Sequence, residues 1–171
     1  MKKALILIDL ENEYINKHSD YFVGDVSDLF NKINKLLEYC RKENYKIVFI
    51  RHVEKDSEDC FKENTINTEI IKDINKKDSD VVITKHKISS FYQTNLEKEL
   101  KNIGEMIVCG ILTNLCVRSL IEEAYDREFQ IKVIKDCCKA FDDETQEFTF
   151  KDLKSTREEI EFLDLEELIS D

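Results

Sequence analysis

Proline and tryptophan are absent from this chain of 171 residues, and glycine occurs only three times. This composition leaves no flexible linker and no low-complexity segment, since both are rich in such turn-forming residues. No apolar run approaches the roughly 18–20 residues of a membrane span, and the run after Met1-Lys2-Lys3 is too short for a secretory signal. We therefore expect one domain over residues 1–171, without membrane association.

Positive charge is also scarce, because 26 basic residues face 37 acidic ones and the net charge is −11. Nucleic-acid backbones and anionic membranes both need clustered cations, so we expect neither as a partner. The six cysteines show no Cys-x-x-Cys spacing, and the three histidines share no ligand-like spacing with them. We expect reduced thiols in a cytoplasmic protein, with no metal and no cofactor.

Short apolar runs typical of strands buried on both faces recur along the chain. The clearest are Ala4–Ile8, Ile47–Ile50, Val81–Ile83 and Met106–Cys109, followed by Ile131–Ile134 and a possible sixth at Ile160–Leu163. Apolar residues at helical spacing lie between them, over 29–40, 91–103 and 117–125. This alternation predicts βαβ units and a three-layer α/β sandwich, with an irregular loop over about 54–80.

Reactive side chains lie at the ends of three predicted strands or just beyond them. Asp9 follows the first strand, Lys85 ends the third, and Cys116 opens the helix after the fourth. Because ligands bind at the carboxyl ends of parallel strands, we expect these three groups to meet. Thr113 or Asn114 is a natural N-cap, which would place Cys116 in the first helical turn. There, the helix dipole and Lys85 would favour the thiolate.

A carboxylate, an ammonium and a thiol suit covalent attack on an amide or ester carbonyl. In this interpretation Asp9 accepts the thiol proton, Lys85 holds the charge of Asp9, and backbone N–H groups between Gly110 and Cys116 bind the oxyanion. Each residue also has an ordinary structural interpretation. Cysteine is often a small buried hydrophobe, a strand-terminal aspartate often caps a helix, and a strand-terminal lysine is often solvated. Their shared edge favours catalysis.

Four segments, in this order, resemble the isochorismatase-like cysteine hydrolase superfamily, which includes nicotinamidases, N-carbamoylsarcosine amidases and isochorismatases. They are ALILIDLENEY at 4–14, TKHKISSFYQTNL at 84–96, VCGILTNLCVRSLIEEA at 108–124 and VIKDCCKA at 133–140. The resemblance implies a Rossmann-like α/β/α sandwich with a six-stranded, mainly parallel sheet and a catalytic triad of Asp9, Lys85 and Cys116. It also implies a cis peptide between Ile111 and Leu112, with the N–H groups of Leu112 and Cys116 as oxyanion hole.

The chain departs from the family pattern after the second strand. Nicotinamidases bind a metal there through an Asp-x-His pair, whereas this chain reads Ile50-Arg51-His52-Val53. We therefore predict no catalytic metal, and we interpret His52 as a loop residue with a polar contact.

The expected substrate pocket departs from the pattern as well. Glu11 stands where the family has glutamine, and its charge would disfavour a carboxylate substrate unless Arg51, Lys87 or Arg118 offsets it. We count Tyr14, Phe91 and Glu11 as candidate substrate-binding residues, although both aromatic rings have an equally good interpretation as core.

The sequence thus predicts a metal-independent cysteine hydrolase that cleaves a small amide-like substrate through a thioester at Cys116, with water activated at Asp9. By resemblance we expect a homo-oligomer, a dimer or a tetramer. Two alternatives stay open: an isochorismatase-type vinyl ether hydrolase, in which the cysteine need not be the nucleophile, and a catalytically silent binding protein of the same fold. A redox role for Cys137 and Cys138 has little support.

Overall fold

The computed structural model describes residues 1–170 and contains one sheet of six parallel strands. The strands are β1 (Lys2–Ile8), β2 (Lys46–His52), β3 (Val81–Lys85), β4 (Ile103–Ile111), β5 (Gln130–Lys139) and β6 (Glu161–Leu163). The α-helices are α1 (Ser27–Lys42), α2 (Leu96–Glu99), α3 (Arg118–Tyr125), α4 (Asp143–Thr156) and α5 (Leu165–Ser170). This architecture confirms the predicted α/β sandwich. None of the helices within residues 1–170 combines the length and the apolar character that a membrane crossing requires.

The sheet order β3-β2-β1-β4-β5-β6 places β1 in the interior of the sheet. It lies between β2 and β4, and residues Ala4–Ile8 are fully buried because both faces of the sheet are covered. The chain adds β2 and β3 on one side of β1 and then β4, β5 and β6 on the other. The strand order therefore reverses between β1 and β4, and crevices that bind ligands form at the carboxyl ends of strands at such a point.

Gly110 allows the two central strands to come together at that crevice. Its φ of +133° is unfavourable for other residues, and a Cβ at this position would run into the backbone of Ile8. Gly110 pairs with Ile8 on one side and with Cys138 on the other, where the register of β4 with β5 shifts. A side chain here would push β4 away from β1.

The helix predicted over 91–103 is much shorter in the structure, since α2 covers only Leu96–Glu99. The preceding segment forms turns, with a positive φ of 53° at Gln93. The Thr94 hydroxyl donates to the carbonyl of Ser90 and accepts from the N–H of Leu96. Such side-chain bonds offer the backbone an alternative to the helix, which the apolar spacing alone did not reveal.

The loop predicted over 54–80 is indeed mostly irregular, with a single 3₁₀ turn at Ile66–Thr68. Two isolated bridges hold it: the first pairs Ile70 with Glu11 outside the loop, and the second pairs Glu54 with Lys62 within the loop itself. The first bridge brings the loop beside the end of β1, and the loop thereby contributes a wall to the crevice.

Candidate active site

The carboxyl edge of the sheet brings together the three reactive residues predicted from the sequence. Asp9 directly follows β1, and its N–H donates to the carbonyl of Ile50 at 3.0 Å. Lys85 is the last residue of β3 and extends past the end of β2 toward Asp9. Cys116 lies in the turn after β4. Asp9 and Lys85 have no exposed surface, and Cys116 is 8% exposed.

The Lys85 ammonium is the centre of this group. Its Nζ lies 2.9 Å from Asp9 Oδ2, 3.3 Å from Cys116 Sγ and 3.2 Å from His52 Nδ1. An ammonium has three hydrogens, and the structure offers one partner for each. Burial opposes the charge on Lys85, but the charge of Asp9 and the hydrogen bonds to Asp9 and Cys116 outweigh it and raise the pKa of the lysine. The amine is therefore a cation throughout the neutral range.

The prediction that Cys116 is a thiolate is wrong for the free protein. Burial first, and then the negative charge of Asp9, raise the pKa of the Cys116 thiol well above its usual value, although Lys85 acts in the opposite direction. Cys116 is consequently a protonated thiol next to a carboxylate. The carboxylate makes it possible to remove the proton at the moment of reaction.

The local structure around Cys116 also differs from the predicted helix N-terminus. Residues Thr113–Val117 form a π-helical turn that precedes α3, and no side chain caps it. Thr113 donates its hydroxyl hydrogen to Gln146 Oε1 instead, at 3.0 Å. Neither Thr113 nor Asn114 is thus the predicted N-cap. Gln146 also accepts from the N–H of Ala140, so α4 fixes the turn that carries the thiol.

The peptide bond between Ile111 and Leu112 is cis, as the family resemblance implies. Leu112 and Cys116 border the same cavity. Both residues of the predicted oxyanion hole are therefore next to the space that a substrate carbonyl would enter.

A cavity of about 480 Å³ opens onto Cys116. One wall is aromatic: the rings of Tyr14, Tyr21 and Phe61 pack edge to face, with centroids 4.8–6.3 Å apart. Polar groups of His52, Glu54, Lys55, His86, Lys87 and Gln93 complete the lining. An apolar wall with a few polar groups is the usual composition of a small-molecule site.

The three candidate substrate-binding residues have different positions. Tyr14 lines the cavity, as predicted. Phe91 does not, because its ring packs under the guanidinium of Arg127 at 4.1 Å, and the next residue, Tyr92, lines the cavity instead. Because α2 starts only at Leu96, the residues before it form turns. In these turns Tyr92, and not Phe91, faces the cavity.

Glu11 lies behind the site and does not border the cavity. It is fully buried, and its Oε1 accepts a hydrogen bond from the backbone N–H of His52. Burial first, and then the charge of Asp9, raise the pKa of Glu11 well above its usual value. The extra negative charge expected from this residue is therefore largely suppressed.

Of the three cations named as possible counter-charges, Lys87 alone borders the cavity. Arg51 pairs with Glu69 at 3.2 Å, and Arg118 pairs with Asp152 at 2.7 Å. Neither arginine borders the cavity, although the charge of Arg51 still acts on Glu11 and lowers its pKa.

Among the cavity residues that were not assigned to the site from the sequence, His52 and Phe61 lie next to the reacting groups or form the aromatic wall. His52 is the last residue of β2, not a loop residue, and the position of β2 between β1 and β3 is the signal that could have identified it. Phe61 comes from the irregular loop, where its N–H donates to Glu13 Oε2 and fixes its position. No sequence pattern marks Phe61.

Comparison with known proteins shows the family and the fold. The isochorismatase domain family matches residues 3–162. Nicotinamidase 3 of Arabidopsis thaliana is 27% identical over 165 residues, which cover 88% of this chain and 79% of that protein. An isochorismatase-like hydrolase from Alkaliphilus metalliredigens superposes with a TM-score of 0.88 at 20% identity, over 99% of this chain and 98% of the other. The pyrazinamidase of Pyrococcus horikoshii, in complex with zinc, has a TM-score of 0.86 at 20% identity, over 96% and 99%.

The zinc in that neighbour raises the question whether this chain could hold a metal. Within residues 1–170 no group of three or more histidine, cysteine, aspartate or glutamate side chains is arranged to bind one. His52 Nε2 and Glu54 Oε1 are 3.5 Å apart, but His52 Nδ1 faces the Lys85 ammonium. A histidine nitrogen and one carboxylate do not make the three protein ligands of a catalytic zinc site, so these residues do not fit.

Proposed function

This chain belongs to the isochorismatase domain family, whose members are hydrolases, and we propose that it is a metal-independent cysteine hydrolase acting on a small amide-like substrate. The contact of Lys85 Nζ with both Asp9 Oδ2 and Cys116 Sγ, at the end of a cavity, is the observation that supports this best. A nucleophile, a base and a cation within hydrogen-bonding distance are what covalent catalysis at a carbonyl needs.

In the first half of the reaction, the Cys116 sulfur bonds to the substrate carbonyl carbon while its proton moves to Asp9. The thiol is protonated in the free protein, because burial and Asp9 raise its pKa, so proton transfer accompanies the attack. The carbonyl π electrons move to oxygen, and the N–H groups of Leu112 and Cys116 stabilise the oxyanion. When the tetrahedral intermediate collapses, the C–N bond breaks and Asp9 returns the proton to nitrogen. Ammonia leaves and a thioester remains.

In the second half, water attacks the thioester carbon and gives a proton to Asp9. The C–S bond then breaks, the sulfur takes this proton back from Asp9, and a carboxylic acid product is released. Lys85 keeps its charge throughout and compensates Asp9 while the carboxylate is ionised. No step needs a metal.

The cavity supports a substrate with a flat or apolar group beside its carbonyl. Tyr14 and Phe61 contact each other edge to face, with centroids 5.5 Å apart, and another planar group can pack favourably against this aromatic wall. The volume of about 480 Å³ suits a small molecule and is within the usual range for ligand sites.

A screen of primary amides tests this proposal, with released ammonia as the readout. The wild type should release ammonia from at least one amide, and Cys116→Ala should not. Cys40→Ala, which removes a buried thiol from α1, is the matched control and should retain activity. Equal ammonia release by wild type and Cys116→Ala would remove the nucleophile from the proposal. Activity that needs stoichiometric metal would overturn its metal-independent form.

The protonated state of Cys116 also favours a second candidate, vinyl ether hydrolysis of the isochorismatase type, in which the sulfur need not attack. Asp9 would then be the proton-transferring group. Equal cleavage of isochorismate by wild type and Cys116→Ser, without ammonia release from any amide, would support this reaction. A catalytically silent binding protein would turn over neither class of substrate.

A further inference from the structure

His52 is a buried histidine whose two ring nitrogens face different partners. Nδ1 lies 3.2 Å from Lys85 Nζ, and Nε2 lies 3.5 Å from Glu54 Oε1 at the rim of the cavity. The reaction described above uses Asp9, Lys85 and Cys116 and leaves this contact without a role. It is nevertheless one of the three contacts of the ammonium.

The chemistry of the pair fixes the direction of the hydrogen bond. A lysine ammonium has hydrogens to donate and no lone pair to accept with, so His52 Nδ1 must be the acceptor. A neutral imidazole with an unprotonated Nδ1 carries its hydrogen on Nε2. The contact with Lys85 therefore selects one tautomer and directs the Nε2–H toward Glu54.

We propose that His52 is a positioning residue of this site: by accepting a hydrogen bond at Nδ1, it holds the Lys85 ammonium where it contacts both Asp9 and Cys116. The role of His52 rests on the proposed function, whereas its tautomer follows from the contact with Lys85 alone.

The surroundings of His52 restrict the ring to this orientation. Its backbone N–H donates to Glu11 Oε1, which fixes the end of β2. The ring packs edge to face on Phe61, with centroids 4.9 Å apart and an interplanar angle of 82°. Burial first, and then the charge of Lys85, lower the pKa of His52 to about 4, although Asp9 acts in the opposite direction. The imidazole is thus a neutral acceptor at physiological pH.

Loss of the acceptor would leave one ammonium hydrogen without a partner in a fully buried position. The ammonium would regain a partner by moving toward the carboxylate of Asp9, away from Cys116 Sγ. The negative charge that develops on the sulfur as its proton leaves would then lose the cation that stabilises it. His52 thereby affects the reactivity of a sulfur that it does not contact.

Nitrogen-15 NMR tests the tautomer without any substrate. The two ring nitrogens of each of the three histidines give separable shifts, and His52→Asn identifies the signals of His52. We expect Nδ1 unprotonated and Nε2 protonated at neutral pH. A protonated Nδ1 would overturn the proposal, since the ring would then be unable to accept from Lys85.

A pair of variants of nearly equal size tests the positioning role. His52→Asn can present its amide oxygen where Nδ1 was, whereas His52→Leu removes the acceptor. The readout is the alkylation rate of Cys116 by iodoacetamide above neutral pH, followed by peptide mass mapping to separate it from the other five cysteines. We expect His52→Leu to slow this rate about tenfold or more, the effect of one hydrogen bond to a charged group. His52→Asn should stay within about threefold of wild type.

The outcomes separate this proposal from the proposed function. Equal rates in wild type, His52→Asn and His52→Leu would overturn the positioning role, even if the protein hydrolyses amides. Rescue by His52→Asn together with the expected tautomer would support it, even if no amide is hydrolysed. If His52→Leu does not fold, the tautomer and the rate of His52→Asn still decide, and a tenfold slower His52→Asn would count against the proposal.

Discussion

Replacing Lys85 with methionine should destabilise the fold by about 3–5 kcal/mol, which is the usual cost of removing one partner of a buried ion pair. Asp9 and Lys85 are both fully buried, with Oδ2 and Nζ 2.9 Å apart. Methionine is unbranched and keeps most of the length of the lysine side chain, so the loss of charge is the main change. The Asp9 carboxylate is then left in the interior without a cation in contact, and Asp9 Oδ1 already has no hydrogen-bond partner within residues 1–170.

Asp9→Asn removes the opposite charge and should cost a similar amount. Asparagine is the appropriate replacement because the φ of Asp9 is +50°, a conformation that asparagine tolerates better than most residues. The double variant Asp9→Asn/Lys85→Met contains no unpaired charge. Since replacing a whole buried pair is often close to neutral, it should be more stable than either single variant.

Urea denaturation at neutral pH measures the free energy of unfolding of all four proteins in this double-mutant cycle. The comparison is valid if the slope of this free energy against urea concentration is the same in all four. We expect a coupling energy of at least about 2 kcal/mol, within the range for residues in direct contact. If the two single effects add to within about 0.5 kcal/mol, Asp9 and Lys85 do not stabilise each other as a pair, because independent sites behave in that way.

Three other positions give shorter predictions. Burial and the charge of Asp9 raise the pKa of Glu11, so the folded protein keeps a proton that the unfolded chain loses above about pH 4.3. The free energy of unfolding therefore falls as the pH rises from there toward the pKa of Glu11 in the folded protein. Glu11→Gln should therefore gain stability over wild type in thermal melts at pH 8 and lose that gain near pH 4, whereas a constant difference would contradict the assignment. Gly110→Ala should lower the free energy of unfolding by about 4 kcal/mol or more, because the new Cβ would run into the backbone of Ile8. The control Gly24→Ala has open space around it and should lower this free energy by only about 1–2 kcal/mol in denaturant unfolding. The alkylation rate of Cys116 should keep rising with pH above neutral, since burial and then Asp9 raise its thiol pKa, and a plateau that begins below pH 7 would be inconsistent with a protonated thiol.

The sequence predicted the sheet and the main residues of the site because both depend on chain order. The apolar runs determine where strands end, and parallel strands bring those ends to one edge. Asp9, Lys85 and Cys116 therefore meet although they are far apart in the chain. The same argument applied to β2 would have found His52, whose position at the end of that strand is equivalent.

Features that depend on distances could not be predicted in this way. The charge state of Cys116 depends on the balance between burial, Asp9 and Lys85, and the sequence contains none of the separations that set it. Phe61 reaches the cavity through an irregular loop that Glu13 attaches by one hydrogen bond. The exchange of Phe91 for Tyr92 follows from a helix that starts later than its apolar spacing indicates.

Mass spectrometry of the protein, quenched during turnover of an amide found by the ammonia screen, shows whether Cys116 forms a thioester. We expect a peptide containing Cys116 that carries the acyl group of the substrate and loses it on treatment with hydroxylamine. The sample is quenched at a lower temperature, which slows hydrolysis of the thioester. Turnover of the amide with Cys116 unmodified under these conditions, or an acyl group on any other residue, would show that Cys116 is not the nucleophile.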